Sequence, residues 1–138
     1  GAYLTIASGG LRREISFLAD TEVVSQRVFP EEIADQLKAM LNRVVSDGTA
    51  TKAAIEGYDV AGKTGTVRKM GAGGYQDTEH LAFFAGLAPV NKPRLVGVIL
   101  INEPKTSRTG GGEIAAPVFS RIIGNALRIM NVPPERNV

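Results

Sequence analysis

The chain has 138 residues, of which 43% are hydrophobic, and a formal net charge of +2. This length corresponds to one domain or part of one, and the apolar fraction is typical of a globular protein. The small, scattered charge predicts no nucleic-acid partner. The chain lacks cysteine and has a single histidine, His80. A disulfide framework, a thiolate metal site and a histidine-based triad are therefore excluded, and we expect neither metal nor cofactor.

Two helices are predicted in the N-terminal third. Ala2–Ala7 is typical of the end of a helix terminated by Ser8-Gly-Gly10, and a chain that opens within a helix indicates that sequence precedes it. Leu11–Arg27 is mixed in character and is predicted to be extended. A longer helix is predicted over Pro30–Ser46, because proline suits the first helical turn and apolar residues then recur at helical spacing. These apolar residues are Ile33, Leu37, Met40, Leu41, Val44 and Val45.

Three strands are predicted next: Tyr58–Arg68, Leu81–Ala88 and Arg94–Asn102. The connections are short enough for an antiparallel meander. The third strand is apolar on both faces, so it should lie inside a sheet, yet as the last strand it would be an edge. A further strand should pair with it. Within this chain only Leu11–Arg27 could supply one, and the simpler explanation is that its neighbours belong to sequence outside this chain.

A glycine-rich loop and a helix close the chain. Thr109–Gly112 is predicted to be a flexible loop. The apolar residues from Val118 to Met130 predict a closing helix, in which Pro117 is tolerable only near the start. We also expect Phe83, Phe84 and Phe119 to lie in the core. His80 is expected at the surface or at the end of a strand.

Gly57–Thr64 matches the spacing of a P-loop, G-x-x-x-x-G-K-[ST]. A P-loop must follow a buried strand and open a helix, because the helix N-terminus and the loop amides hold the phosphates. The residues before Gly57 are not an apolar strand, and Gly65, Thr66 and Val67 cannot begin a helix that continues. The context therefore argues against a nucleotide site.

The most informative residues are Lys63-Thr64-Gly65-Thr66, at the centre of the first predicted strand. A Lys-Thr-Gly triplet on a strand is the third sequence element of serine acyltransferases that react with penicillin. The other two elements, Ser-x-x-Lys and Ser-x-Asn, are absent. No serine is followed by lysine three places on or by asparagine two places on: Ser8, Ser16, Ser25, Ser46, Ser107 and Ser120. The pattern indicates one wall of an active site whose nucleophile lies elsewhere.

Segments along nearly the whole chain carry a wider resemblance: Ala2–Gly10, Ala61–Lys69, Phe84–Pro89, Ile101–Pro104, Ala115–Phe119 and Leu127–Pro134. In these residues the chain resembles the C-terminal part of the transpeptidase domain of class B penicillin-binding proteins, most closely the division-specific penicillin-binding protein 3 type of Gram-negative bacteria. The resemblance implies an α+β fold, a partial serine transpeptidase/β-lactamase-like domain. A three-stranded antiparallel meander would be packed with helices, without the nucleophile-bearing helical part and the first sheet strands. Residues 1–138 would be the C-terminal portion of a single transpeptidase domain.

The resemblance also implies a function for the parent protein. It would be a peptidoglycan D,D-transpeptidase, which crosslinks stem peptides ending in D-Ala-D-Ala through a serine acyl-enzyme and is the target of β-lactams. It would act at the periplasmic face of the bacterial inner membrane, with the remainder of its domain and division proteins as partners. This chain alone is predicted to be inactive. The alternative is a non-enzymatic binding module that retains the fold.

The resemblance assigns roles to individual residues. Lys63 would supply a fixed positive charge beside the nucleophile and would favour a substrate carboxylate. Thr66 would bind the terminal carboxylate and offer its backbone N–H to the oxyanion. Thr64 would present a hydroxyl, and Gly65 would let the substrate backbone approach and pair with the strand. Cleft loops are expected to contribute Tyr75, Gly110, Gly111 and Gly112.

Overall fold

The computed structural model describes residues 1–18, 21–71, 74–105 and 110–136, and the side chains of these except 69–71 and 74–79. The elements in chain order are α1 (Ala2–Ala7), β1 (Leu11–Arg13), β2 (Ser25–Arg27), α2 (Glu31–Ser46), a 3₁₀ turn (Thr51–Ala53), β3 (Ala61–Gly71), β4 (Gly74–Ala88), β5 (Leu95–Asn102) and α3 (Gly111–Ile129). None of the helices in the described ranges is long and apolar enough to span a membrane.

The predicted meander is confirmed: β3, β4 and β5 form an antiparallel sheet in that order. The strand bounds differ from those predicted. β3 begins at Ala61 rather than Tyr58, because Tyr58 instead forms an isolated bridge with Ile55 and its hydroxyl donates to the Val132 carbonyl at 2.6 Å. β4 begins at Gly74 rather than at Leu81, since the β3–β4 ladder extends through most of the connection between the first two predicted strands.

The helix predicted over Pro30–Ser46 is confirmed as α2, with Pro30 as the residue that precedes the first helical turn. Two glutamates occupy that turn, where the positive end of the helix dipole favours acidic side chains. α2 packs against β3, and Asn42 Nδ2 donates to the Val60 carbonyl at 2.9 Å. This bond holds the helix against the entry of β3.

The closing helix α3 starts at Gly111, well before the predicted start. The expectation of a flexible loop through Gly112 was therefore wrong for its last two residues. The expectation that Pro117 would lie only near the helix start was also wrong, because Pro117 is in the helix interior. Packing of α3 on the sheet overrides the local preferences of glycine and proline here.

The core lies between α3 and one face of the sheet. Phe84 and Phe119 are fully buried there, with ring centroids 4.8 Å apart in an edge-to-face arrangement. Phe83 points to the opposite face, because successive side chains alternate across a strand, and it is only partly buried. The core prediction is thus confirmed for Phe84 and Phe119 but not for Phe83.

His80 was predicted to lie at the surface or at a strand end, and this was wrong. It lies within β4 with 7% of its surface exposed, and its Nε2 has no hydrogen-bond partner among the described residues. His80 shares its strand face with the buried Ala82 and Phe84, since residues two apart point the same way.

The outer edge of β5 pairs with no strand among the described residues. Leu11–Arg27 does not form the additional strand that was expected beside β5, because β1 and β2 pair with each other in a separate two-stranded sheet. Val98 and Leu100 on β5 are 63% and 58% exposed. Among the described residues the apolar strand is therefore an edge strand that carries two exposed apolar side chains.

Candidate functional site

Lys63-Thr64-Gly65-Thr66 lies within β3, where Lys63 pairs with Ala85 and Thr66 with Ala82. The prediction that this motif lies on an antiparallel strand is confirmed. The P-loop spacing has no structural counterpart, because Lys63 does not lie at the start of a helix. The Lys63 side chain is exposed, and its Nζ donates to the Thr64 carbonyl at 3.1 Å. Its charge is therefore presented at the surface rather than in the core.

The two threonine hydroxyls of the motif contact different neighbours. Thr64 Oγ1 lies 3.1 Å from Thr49 Oγ1, in the segment between α2 and the 3₁₀ turn. Thr66 is exposed, and its Oγ1 accepts a 3.4 Å hydrogen bond from the backbone N–H of Gly111, the first residue of α3. The positive end of the α3 dipole is therefore directly beside Thr66.

Glycines allow α3 to approach β3 this closely. A Cβ on Gly111 would collide with the carbonyl oxygens of Phe83 and Gly65, the latter only 2.7 Å away. A Cβ on Gly112 would collide with the Thr49 carbonyl oxygen. Gly110 precedes the helix and has open space where its Cβ would be. Two of the three predicted cleft-loop glycines are thus helical residues that touch the motif strand.

Gly65 has a further neighbour that the sequence analysis missed. The Phe83 ring occupies the space that a Cβ on Gly65 would need. The available signal was the period-2 alternation of β4, which places Phe83 on the face opposite Phe84. The role predicted for Gly65, close approach of a substrate backbone, stays a prediction. A side chain at this position would have to displace the Phe83 ring.

The remaining predicted site residue is Tyr75. Its backbone pairs with Met70 in the β3–β4 hairpin, and its side chain lies outside the described residues. Its role in a cleft stays a prediction. Thr49 was not predicted, and nothing in the local sequence pattern could have identified it, because its contact with Thr64 depends on how the two segments pack.

An exposed ammonium group, an exposed hydroxyl and a helix N-terminus together favour binding of a carboxylate. None of the hydrogen bonds made by Ser16, Ser46 or Ser120 in the described part of the chain involves a lysine. Ser120, for example, donates to the Ala54 carbonyl at 2.6 Å. The arrangement can therefore bind an anionic group, but the described residues contain no activated serine of the kind that acyl transfer needs.

Comparison with known proteins, made over the whole sequence, supports the family resemblance seen in the sequence motifs. Residues 1–124 match the family described as the penicillin binding protein transpeptidase domain. The chain is 42% identical over 135 residues to peptidoglycan D,D-transpeptidase FtsI of Escherichia coli K12, covering 96% of this chain and 23% of that protein. It is 38% identical over 137 residues to the probable peptidoglycan D,D-transpeptidase PbpC of Pseudomonas aeruginosa PAO1, covering 97% of this chain and 24% of that protein.

Solved structures agree with these sequence relatives. The apo transpeptidase domain of Burkholderia pseudomallei penicillin-binding protein 3 is similar with a TM-score of 0.88 and 38% sequence identity. The match covers 99% of this chain and 42% of that domain. The chain thus spans about a quarter of the length of the curated relatives and under half of the solved domain. On the extent of the family match and the identity to these relatives, the chain belongs to the penicillin-binding protein transpeptidase domain family.

Proposed function

We propose that this chain forms part of a peptidoglycan D,D-transpeptidase and supplies the Lys-Thr-Gly wall of its active site. The nucleophilic serine would come from a part of the protein outside this sequence. The proposal rests on the exposed Lys63 and Thr66 of β3, at the N-terminus of α3, in a chain whose relatives carry that activity in their names.

The open side of β3 fits an extended peptide. Among the described residues β3 has β4 as its only strand neighbour, so the other edge of β3 is free for an added strand. A stem peptide ending in D-Ala-D-Ala would lie along this edge with its terminal carboxylate near Thr66. The Thr66 hydroxyl and the positive end of α3 would bind the carboxylate. β-Lactams would occupy the same place.

The proposed chemistry is acyl transfer in two steps. The external serine Oγ attacks the carbonyl carbon between the two D-alanines, the C–N bond breaks, and the terminal D-alanine leaves with a proton. The amine of a second stem peptide then attacks the acyl-enzyme, forms the crosslink and releases the serine. Lys63 would stabilise negative charge beside the serine, and the Thr66 backbone N–H would donate to the oxyanion, a contribution of about 3–4 kcal/mol.

The setting of the reaction follows from its substrate. Peptidoglycan lies outside the inner membrane, so the proposed site of action is the periplasmic face of that membrane. The relation to the division-specific type makes septal wall synthesis the proposed process, with division proteins as partners. Further proposed contributors to the cleft are Tyr75 and the segment Gly110–Gly112.

The test is acylation of the longer protein by a fluorescent penicillin. Lys63→Ala should slow labelling at least about a hundredfold, because it removes a charge beside the reacting groups. Lys92→Ala, an exposed lysine on the β4–β5 turn, is the matched control and should label at the unchanged rate. Labelling of the Lys63→Ala variant at the wild-type rate would overturn the proposal.

The 138-residue chain by itself should show no covalent adduct by intact-protein mass spectrometry. It has no serine with a lysine three places on. A stoichiometric mass increase mapped to one of its six serines would place the nucleophile within this chain and contradict the assignment.

A further inference from the structure

The tail that follows α3 turns back and contacts the segment that leads into β3. Asn131 has a positive φ of 51°, which ends the helix and redirects the chain. The Val132 carbonyl then accepts the buried 2.6 Å bond from Tyr58 Oη, and the Glu135 N–H donates to the Gly57 carbonyl at 2.9 Å. The tail is thereby joined to two consecutive residues before β3.

The Glu135 carboxylate links two further segments. One oxygen accepts from the Asp59 backbone N–H at 3.0 Å, and the other accepts from the Asn91 backbone N–H at 2.9 Å. Asp59 lies two residues before β3, and Asn91 lies in the turn that joins β4 to β5. Arg136 adds an ion pair with the Asp59 side chain. One carboxylate thus fixes the entry of β3 relative to the β4–β5 turn, which lies at the same end of the sheet.

This link matters because β3 is an edge strand among the described residues, held by ladder bonds on one side only. Besides its contacts with α2 and α3, β3 therefore depends for its position on the contacts that fix its start. Asp59 is four residues from Lys63, roughly 13 Å of extended chain. A shift at the start of the strand is carried along the backbone to Lys63 and Thr66.

We infer that Glu135 is a positioning residue, whose carboxylate sets the location of Lys63 and Thr66 through the entry of β3. This inference rests on the proposed function, in which Lys63 and Thr66 act on the substrate. Glu135 itself touches neither residue and would act only through the position of β3. Geometry of reacting groups is demanding, and a displacement of about 1 Å can cost up to about a hundredfold in rate.

The test uses the longer protein with Glu135→Ala, which removes both acceptors, and Glu135→Gln, which keeps one. Glu56→Ala is the matched control, because Glu56 is an exposed carboxylate in the same segment with no hydrogen bond among the described residues. At saturating penicillin, acylation should slow roughly tenfold in Glu135→Ala and less in Glu135→Gln, while Glu56→Ala stays at the wild-type rate. The melting temperature is recorded for each variant.

Backbone amide hydrogen exchange separates positioning from a general loss of stability. In Glu135→Ala, exchange should rise at Asp59, at Asn91 and along Ala61–Thr66, with no rise in the buried part of α3. Exchange that rises only at Asp59 and Asn91, with acylation unchanged, would overturn the inference and leave the proposed function intact. Faster exchange along Ala61–Thr66 in a longer protein that penicillin fails to acylate would support the positioning role and overturn the proposed function.

Discussion

Gly111 brings the backbone of α3 against the backbones of β3 and β4. Substitution with alanine should destabilise the fold by about 2 kcal/mol, because the new methyl group collides with two carbonyl oxygens that cannot move independently of the sheet. The gain in helix propensity, about 1 kcal/mol, offsets only part of this cost. Equilibrium unfolding of the Gly111→Ala chain in urea measures the difference.

The neighbouring Gly110 provides the control. It lies just before the helix, its Cβ position is open, and its φ of −79° is available to any residue. Gly110→Ser adds a side chain suited to the helix N-cap and should leave stability unchanged or slightly raised. If Gly110→Ser destabilised the chain as much as Gly111→Ala, steric contact would not explain why position 111 is a glycine.

Single residues also show what a sequence can and cannot predict. Lys63-Thr-Gly-Thr66 was identified because its signal is local, a short run on a strand. The partners of these residues, Thr49 and Gly111, were not identified as contacts, because they come from segments separated by 15 and 45 residues and meet only through packing. The burial of His80 could have been inferred from its strand parity with Phe84.

At the scale of elements, Phe119 anchors α3 to the sheet. It is fully buried, packs edge-to-face on Phe84, and lies over Gly86 of β4 and Gly97 of β5. Phe119→Ala should lower the free energy of unfolding by about 3–5 kcal/mol, since it leaves a cavity in the centre of the core.

Ile129 on the same helix is 80% exposed and is the matched control. Ile129→Ala should change the free energy of unfolding by no more than about 0.5 kcal/mol. Both values come from denaturant melts of otherwise identical chains. A Phe119→Ala effect as small as that of Ile129→Ala would mean that α3 is not held by this contact.

The types and order of the main elements were predictable, because the apolar residues of α2 recur at helical spacing and short connections separate the three strand segments. The first and last residues of these elements were harder to predict. α3 begins with two glycines and contains Pro117, all of which locally disfavour a helix, and only its contacts with the sheet explain its length. β3 starts three residues later than predicted because Tyr58 is used for the tail contact.

For the whole molecule, we expect the outer edge of β5 to govern behaviour in solution, because it pairs with no strand among the described residues. Val98 and Leu100 are exposed on a strand whose outer hydrogen-bonding groups meet no described neighbour. We expect the isolated chain to associate as its concentration rises, by pairing along this edge. Sedimentation velocity at several concentrations measures the shift in apparent mass.

A charge on the edge should suppress this association. Val98→Lys should return the chain to a monomer, because a desolvated lysine opposes strand pairing. Met40→Lys, at a position on α2 that is 58% exposed, should leave the concentration dependence as it is. A wild-type chain that stays monomeric at high concentration would contradict the expectation.

The Phe83 ring over Gly65 has a consequence for how descendants of this domain would diverge. A side chain on Gly65 would have to displace the Phe83 ring of the same chain, so we expect this glycine to persist in a lineage that had lost the proposed chemistry. Lys63 and Thr66 are exposed, and the core does not require their side chains. Mutational drift after a loss of activity would therefore remove the lysine and the second threonine before the glycine. A relative that keeps only the glycine would show that packing selects it. A relative that keeps Lys63, Gly65 and Thr66 would still have the groups that can bind a carboxylate.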